Sequence, residues 1–197
     1  MEFQLETQPL TSENDGRQMT LEEFQYANPL PGARTELVDG RMIVREPPKS
    51  RHGHVTVRVL RALIRYLDAS YATEKDGGLL LSNDAGMLLR RHPDTVRAAD
   101  IAYFVAARAP LDLDRWAETA PDLVVEIRSP TDRPGYLQRK VVDWLTFGCR
   151  QVWVVDSMQR TVTVHEPHRV TLFAAADHLD GGALFPGFTL FVGSLFT

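Results

Sequence analysis

The chain has almost no cysteine: Cys149 stands alone among 197 residues. No internal disulfide can form, so the small stapled folds of oxidising compartments are excluded and the cytoplasm is the expected location. No apolar run is long enough to cross a bilayer, so no membrane partner is expected. The opening stretch MEFQLETQPLTSENDGRQ has no basic region followed by an apolar block, and it does not read as a secretory signal. A basic excess is lacking too. Lys and Arg number 22 against 26 Asp and Glu, a net charge of -4, which argues against a dedicated nucleic-acid coat protein but leaves room for a local basic patch. There is no G-x-S-x-G, no Walker loop and no dinucleotide fingerprint. His165 and His168 lie close in sequence without a cysteine pair, so a zinc site is not expected.

What is present is the material of a globular core, with 44% hydrophobic and 24% charged residues. No repeat and no linker interrupts it. The expected organisation is a polar, flexible segment over residues 1–18 and one α/β domain over 19–197. Met19-Thr20-Leu21-Glu22-Glu23-Phe24 has the form of a capping box, with Met19 able to staple onto Phe24, and the helix should stop near Asn28-Pro29. Thr35–Val38 and Arg41–Val44 flank Asp39-Gly40, a strong hairpin signal. Strand patterns follow over 78–82, 85–89 and 96–105, with a turn at His92-Pro93-Asp94-Thr95. A loop over 106–120 carries a helical turn around Trp116, and a strand runs from Leu123 to Ile127. A helix is expected from Gly135 to Phe147, capped by Gly148, and then a hairpin of 151–156 and 161–165. The tail LFPGFTLFVGSLF should pack onto the domain, and Trp116, Trp144 and Trp153 are expected in the core.

Residues 50–69 read as a helix. At 100° per residue, Arg51, His54, Arg58, Arg61 and Arg65 fall within about 60° of one line, and Leu60, Leu63, Ile64 and Leu67 lie opposite. The stripe is either a solvated face or a surface that follows the phosphates of a nucleic acid. His52 lies away from the stripe, nearer the apolar side.

One segment poses a chemical problem. In PDLVVEIRSP, Glu126 sits in a strand otherwise fit for a core. Alternation puts Asp122, Val124, Glu126 and Arg128 on one face. In the preceding strand it puts Ala98, Asp100, Ala102 and Phe104 together. Paired strands would bring Asp100 and Glu126 to about 5 Å between Cβ atoms. Two carboxylates so close repel, and a hard dication such as Mg²⁺ removes the conflict. The alternative is a strand-end glutamate that simply reaches water. Asp122 is no partner for Glu126, since four strand residues separate their Cα atoms by roughly 13 Å. Asp94 reads as a turn residue.

Glu36-Leu37-Val38-Asp39-Gly40, His52, ADIAYFV, PDLVVEIRSPTD, Lys140, VWVVD and LFPGFTLF occur in that order. The ordered set resembles the Uma-type family of endonucleases, within the PD-(D/E)XK, or restriction-endonuclease-like, superfamily. The match extends from about residue 20 to the end. The resemblance implies a central mixed β-sheet flanked by helices and a Mg²⁺-dependent endonuclease acting on DNA, with Mn²⁺ able to substitute. Asp100 and Glu126 would be the metal ligands and Lys140 the motif lysine, now on a helix. Glu36 and His52 match recurrent positions nearby. Ala99 stands where proline is usual, and Arg128 where the lysine of E-x-K would be. Arginine keeps its charge at any working pH, so Arg128 can hold a phosphate but cannot act as a base. Arg51, Arg58, Arg61 and Arg65 would contact the nucleic acid. A homodimer is plausible on this resemblance. The alternative function is a binding or regulatory module that keeps the fold without catalysis.

Overall fold

The computed structural model describes residues 15–27, 34–73, 76–129 and 135–197. Residues 15–18 of the opening segment are held in place. Gly16 N–H donates to Met42 O at 2.7 Å, and Gln18 bridges Arg41. Residues 1–14 and Asn28-Pro29 lie outside the described residues. Helix α1 (Leu21–Tyr26) starts with the expected capping box: Thr20 Oγ1 accepts from Glu23 N–H, and Glu23 accepts from Thr20 N–H. Met19 packs into the small core that holds Phe24.

Strands β1 (Arg34–Val38) and β2 (Arg41–Arg45) form the expected hairpin. Its turn needs positive φ at both central residues, and Asp39 (52°) and Gly40 (71°) supply it. Helix α2 (Ser50–Ser70) follows. Its buried line is Val55, Val59 and Leu63, each contributing roughly 1.5–3 kcal/mol by burial. Ile64, expected on the apolar side, is 46% exposed. It lies one 100° step past the line that the sheet covers.

Strand β3 (Leu79–Arg90) is a single strand with a register slip between Ser82 and Ala85, where Asn83 and Asp84 take positive φ. It pairs along the whole of β4 (Thr95–Phe104), which is buried throughout. The helical turn of the next loop is at Ala106–Arg108 rather than around Trp116. Trp116 instead packs its ring 5.7 Å from that of Phe24, and Ala117 bridges Met87. Strand β5 (Leu123–Arg128), helix α3 (Tyr136–Thr146) and strands β6 (Gln151–Asp156), β7 (Thr161–Glu166) and β8 (Arg169–Phe173) come next. Gly148, at φ 98°, ends α3 as expected. β9 (His178–Asp180) and β10 (Thr189–Phe191) make a separate two-stranded ribbon.

The main sheet runs β2-β1-β4-β5-β6-β7-β8, with β3 along the other edge of β4. β5 and β6 are parallel and the remaining pairs antiparallel, so the sheet is mixed. The α2 side of the sheet is covered by α2 and the tail, where Phe185 and Phe188 meet Tyr66, Tyr103 and Trp153. The other side is covered by α3 through Val141 and Trp144.

Alternation holds in β5: Leu123, Val125 and Ile127 face α2, while Val124 faces α3. In β4 it does not. Ala99, Ala102 and Phe104 all pack on the α3 side, and Ile101 and Tyr103 on the α2 side. The phase therefore changes at Asp100, opposite the slip in β3. A strict period of two cannot anticipate this, because the extra residue belongs to the neighbouring strand.

Candidate active site

The sheet forks at β4. One edge of β4 pairs with β1 at Val96 and with β5 only from Ile101 onward. Between these points the ladder is open, and buried backbone N–H groups there need other acceptors. Two carboxylates supply them. Glu36, on β1, accepts from Ala98 N–H at 3.0 Å, and Asp100 accepts from Ile127 N–H at 2.7 Å. One further step of the β4–β5 register would set Asp100 opposite Glu126.

Glu126 does not reach water; it is 2% exposed. Its Oε2 accepts from Lys140 Nζ at 2.7 Å and its Oε1 from Trp144 Nε1 at 2.9 Å. Both donors are on α3, one turn apart, so one helix face serves one carboxylate. Lys140 is fully buried and also lies 3.0 Å from Glu36 Oε1. Glu36 Oε2 takes Arg97 at 2.7 Å and the Tyr136 hydroxyl at 2.5 Å. Arg97 is anchored in turn by Asp143. Asp100 Oδ1 accepts from Arg34 at 2.8 Å, a guanidinium it shares with Asp84. His52 Nε2 lies 3.1 Å from Asp100 Oδ2 without hydrogen-bond alignment.

The electrostatics follow from this sharing. Burial pushes the Glu126 carboxyl up to about 7; Lys140 opposes the rise and the charge of Asp100 adds to it. Burial works against the Lys140 charge as well, but Glu126 and Glu36 outweigh it and hold the ammonium well above its ordinary range. At Glu36, burial is overcome by Lys140 and Arg97, which keep the carboxyl far below the usual range. At Asp100, burial is overcome by His52, Lys140 and the Ile127 N–H, and its carboxyl is held low. Of the two expected metal ligands, one is thus held as an anion while the other is driven toward its neutral form.

Asp100, Glu126, Lys140, Glu36 and His52 all meet at the fork. Arg128 does not. It reaches along the register to Asp156 at 2.7 Å, with its side chain 52% exposed. The arginine stripe of α2 is elsewhere as well. Arg51, Arg61 and Arg65 are exposed. Arg58 is spent on the C-terminus, donating to Ser194 O at 2.8 and 2.6 Å, and His54 contacts Thr197 O. His52, seven residues from Val59, falls on the buried side and so reaches Asp100.

Sequence reasoning missed Arg34, Arg97, Tyr136 and Trp144. Tyr136, Lys140 and Trp144 follow one another at i, i+4 and i+8, a spacing that places them on one line. Arg97 carries the same signal as Asp100, a charge inside an apolar strand. Arg34 carries none, since its role needs β1 beside β4.

Among the described residues no group of three or more His, Cys, Asp or Glu side chains is arranged to hold a metal ion. The fork offers two hard carboxylates, and every oxygen of Asp100 and Glu126 has a cationic or N–H neighbour. That donor set fits Mg²⁺, which takes one or two carboxylates and completes its shell with water and phosphate oxygens. It does not fit a closed zinc site. An entering dication would take over neutralisation that Lys140 and Arg34 now provide.

A model of the Uma2 family, described as "Putative restriction endonuclease", matches residues 21–193. The fold is similar to that of a crystal structure of "a putative nuclease belonging to DUF820" from Anabaena variabilis, with a TM-score of 0.76 at 18% identity, covering 90% of this chain and 97% of that one. No curated protein matches the sequence.

Proposed function

The chain belongs to the Uma2 family, and from that premise we propose that it is an endonuclease that hydrolyses phosphodiester bonds of DNA with Mg²⁺ as cofactor, Mn²⁺ substituting. The observation that carries this reading is the placing of Asp100, Glu126 and Lys140 at the strand fork, with Lys140 Nζ 2.7 Å from Glu126 Oε2 and Asp100 accepting from the N–H of the next residue, Ile127.

Asp100 and Glu126 would hold the ion. Bound there, such an ion activates water and stabilises the departing oxygen. Lys140 stays protonated between two carboxylates, so its work is to orient and to offset charge, and the proton of the attacking water goes to another group. Glu36, Arg97 and Tyr136 fix the position of Lys140. His52 borders Asp100 on the α2 side. Arg128, half-exposed at the end of β5, can hold a phosphate with the donors that Asp156 leaves free.

The test is nicking of supercoiled plasmid in Mg²⁺ by the wild type, Asp100→Ala and Glu126→Ala. Cleavage by the wild type and its loss in both variants is expected, and cleavage surviving both substitutions would falsify the assignment. A second reading, a nuclease-fold binding or regulatory module, is favoured by one feature: protein donors already satisfy both carboxylates. Calorimetric titration with Mn²⁺ separates the two, since Glu126-dependent binding counts against the inactive module.

A further inference from the structure

A cleft of about 280 Å³ lies beside the fork, between the segment that joins β2 to α2 and the start of α3. Its described lining includes Arg34, Arg45 and Lys49 against a single acid, Glu46. Two helices begin at its walls. Lys49 is the N-cap of α2, and Tyr136 is the first residue of α3; neither helix has a side-chain cap or an acid in its first turn. Both therefore present partial positive charge that no described first-turn acid or side-chain cap offsets. Arg34 joins the cleft to the acids directly. It lines the cleft, donates to Asp100 at 2.8 Å, and keeps a buried Nε that has no hydrogen-bond partner among the described residues. A buried donor left unpaired costs free energy that an entering oxyanion would recover. Tyr136 makes a second link, with its hydroxyl 2.5 Å from Glu36 Oε2 and its ring 4.8 Å below the Arg45 guanidinium.

We propose that this cleft, not the arginine stripe of α2, is the subsite that receives the DNA backbone, its phosphate oxyanions lying against Arg34, Arg45 and Lys49. The inference rests on the nuclease reading for its substrate and adds the route by which that substrate enters. The α2 stripe is poorly placed for the role. His52, which faces the acids, lies on the buried side of the helix, while Arg58 is tied to the C-terminus. In the cleft, the cations are continuous with the carboxylates at which a phosphodiester would react.

The experiment measures binding separately from cleavage. Fluorescein-labelled duplex and single-stranded DNA are titrated by anisotropy in EDTA, over a series of salt concentrations. Wild type is compared with Arg45→Glu/Lys49→Glu and with Arg61→Glu/Arg65→Glu, two double variants that change net charge equally. The cleft variant is expected to lose tenfold or more in affinity, and its salt slope on duplex to flatten by about 2. The stripe variant is expected to stay within about threefold of wild type. Arg45→Gln/Lys49→Gln, which adds no new acids, should show an intermediate loss with an unchanged melting temperature. Equal or greater loss in the stripe variant overturns the proposal, and so does a wild type that binds neither DNA. Cleft-dependent binding without Mg²⁺-dependent nicking upholds the cleft and removes the nuclease reading instead.

Discussion

Asp122 and Glu126 stand four residues apart around one strand, and both are almost fully buried. Asp122 is closed by its own neighbourhood. It accepts from Val105 N–H at 3.0 Å and from Arg108 at 2.7 Å, and Arg108 goes on to Ala120 O. The Arg108 side chain keeps 35% of its surface in water. Glu126 instead draws on a helix that follows it and shares a fully buried ammonium with a second carboxylate from β1. A carboxylate that has a backbone donor and a wet arginine is a clamp for a loop. One that competes for a single dry cation is frustrated, and frustration of that kind marks sites of chemistry more often than sites of packing.

The largest difference between the two should be in turnover. Glu126→Ala should reduce Mg²⁺-dependent nicking by about a thousandfold or more, whereas Asp122→Asn should leave the initial rate within a few-fold. If folded Asp122→Asn protein loses cleavage to the same extent, the contrast between the two acids is wrong.

Next in size is the loss of the shared cation. Lys140→Met leaves two buried carboxylates without their ammonium and should lower unfolding free energy by about 3–5 kcal/mol in urea titrations at pH 8. Adding Glu126→Gln to it should restore part of the loss, because one of the stranded charges is then gone.

The pH dependence has opposite signs within the cluster. Glu126 has its folded pKa raised from 4.5 to about 7, so between those values the unfolded chain sheds its proton first and stability falls as pH rises. Its contribution should drop by about 3 kcal/mol across that window. Glu36 and Asp100 have lowered folded pKa values. Their stabilisation is present above their unfolded values and is lost as the solution is acidified through the folded ones. Chemical denaturation of metal-free protein from pH 3 to 8, with Glu126→Gln as the control, should show the upper slope vanish in the variant and the acid limb persist.

Smaller effects complete the comparison. Asp122→Asn should cost about 1–3 kcal/mol, since the Val105 N–H and a half-wet arginine lose an anionic acceptor. Arg61→Ala should change stability by less than about 0.5 kcal/mol, as Arg61 is exposed.

Much of this was legible before any coordinates. The box at Thr20 and Glu23, the Asp39-Gly40 turn, α2, α3 with its Gly148 stop and the β6–β7 hairpin are local patterns, each enforced by a few adjacent dihedrals and hydrogen bonds. The rejection of Asp122 as a partner of Glu126 followed from strand rise alone. The break in the alternation of β4, which puts Ala99 on the same side as Ala102 and Phe104, could not be read because the slip opposite it sits in β3. The α2 stripe was visible as a pattern of charge, but a helical wheel does not say which neighbour each side meets, and Arg58 turned out to meet the C-terminus. The full burial of Lys140 was not legible, because the sequence alone gives α3 no partner against which to judge depth.

The sequence by itself settled most of the elements from α1 to β7 and the chemical types available for a site, because those depend on interactions between residues a few positions apart; it did not show β3 as one strand or mark β8, β9 and β10. Only the tertiary structure decided that β4 parts from β1 before joining β5, and that the gap gathers Glu36, Asp100, Glu126 and Lys140 around open backbone N–H groups. That outcome depends on strand pairings and helix depth set by the packing of the whole sheet, where buried charges must find partners wherever the chain brings them.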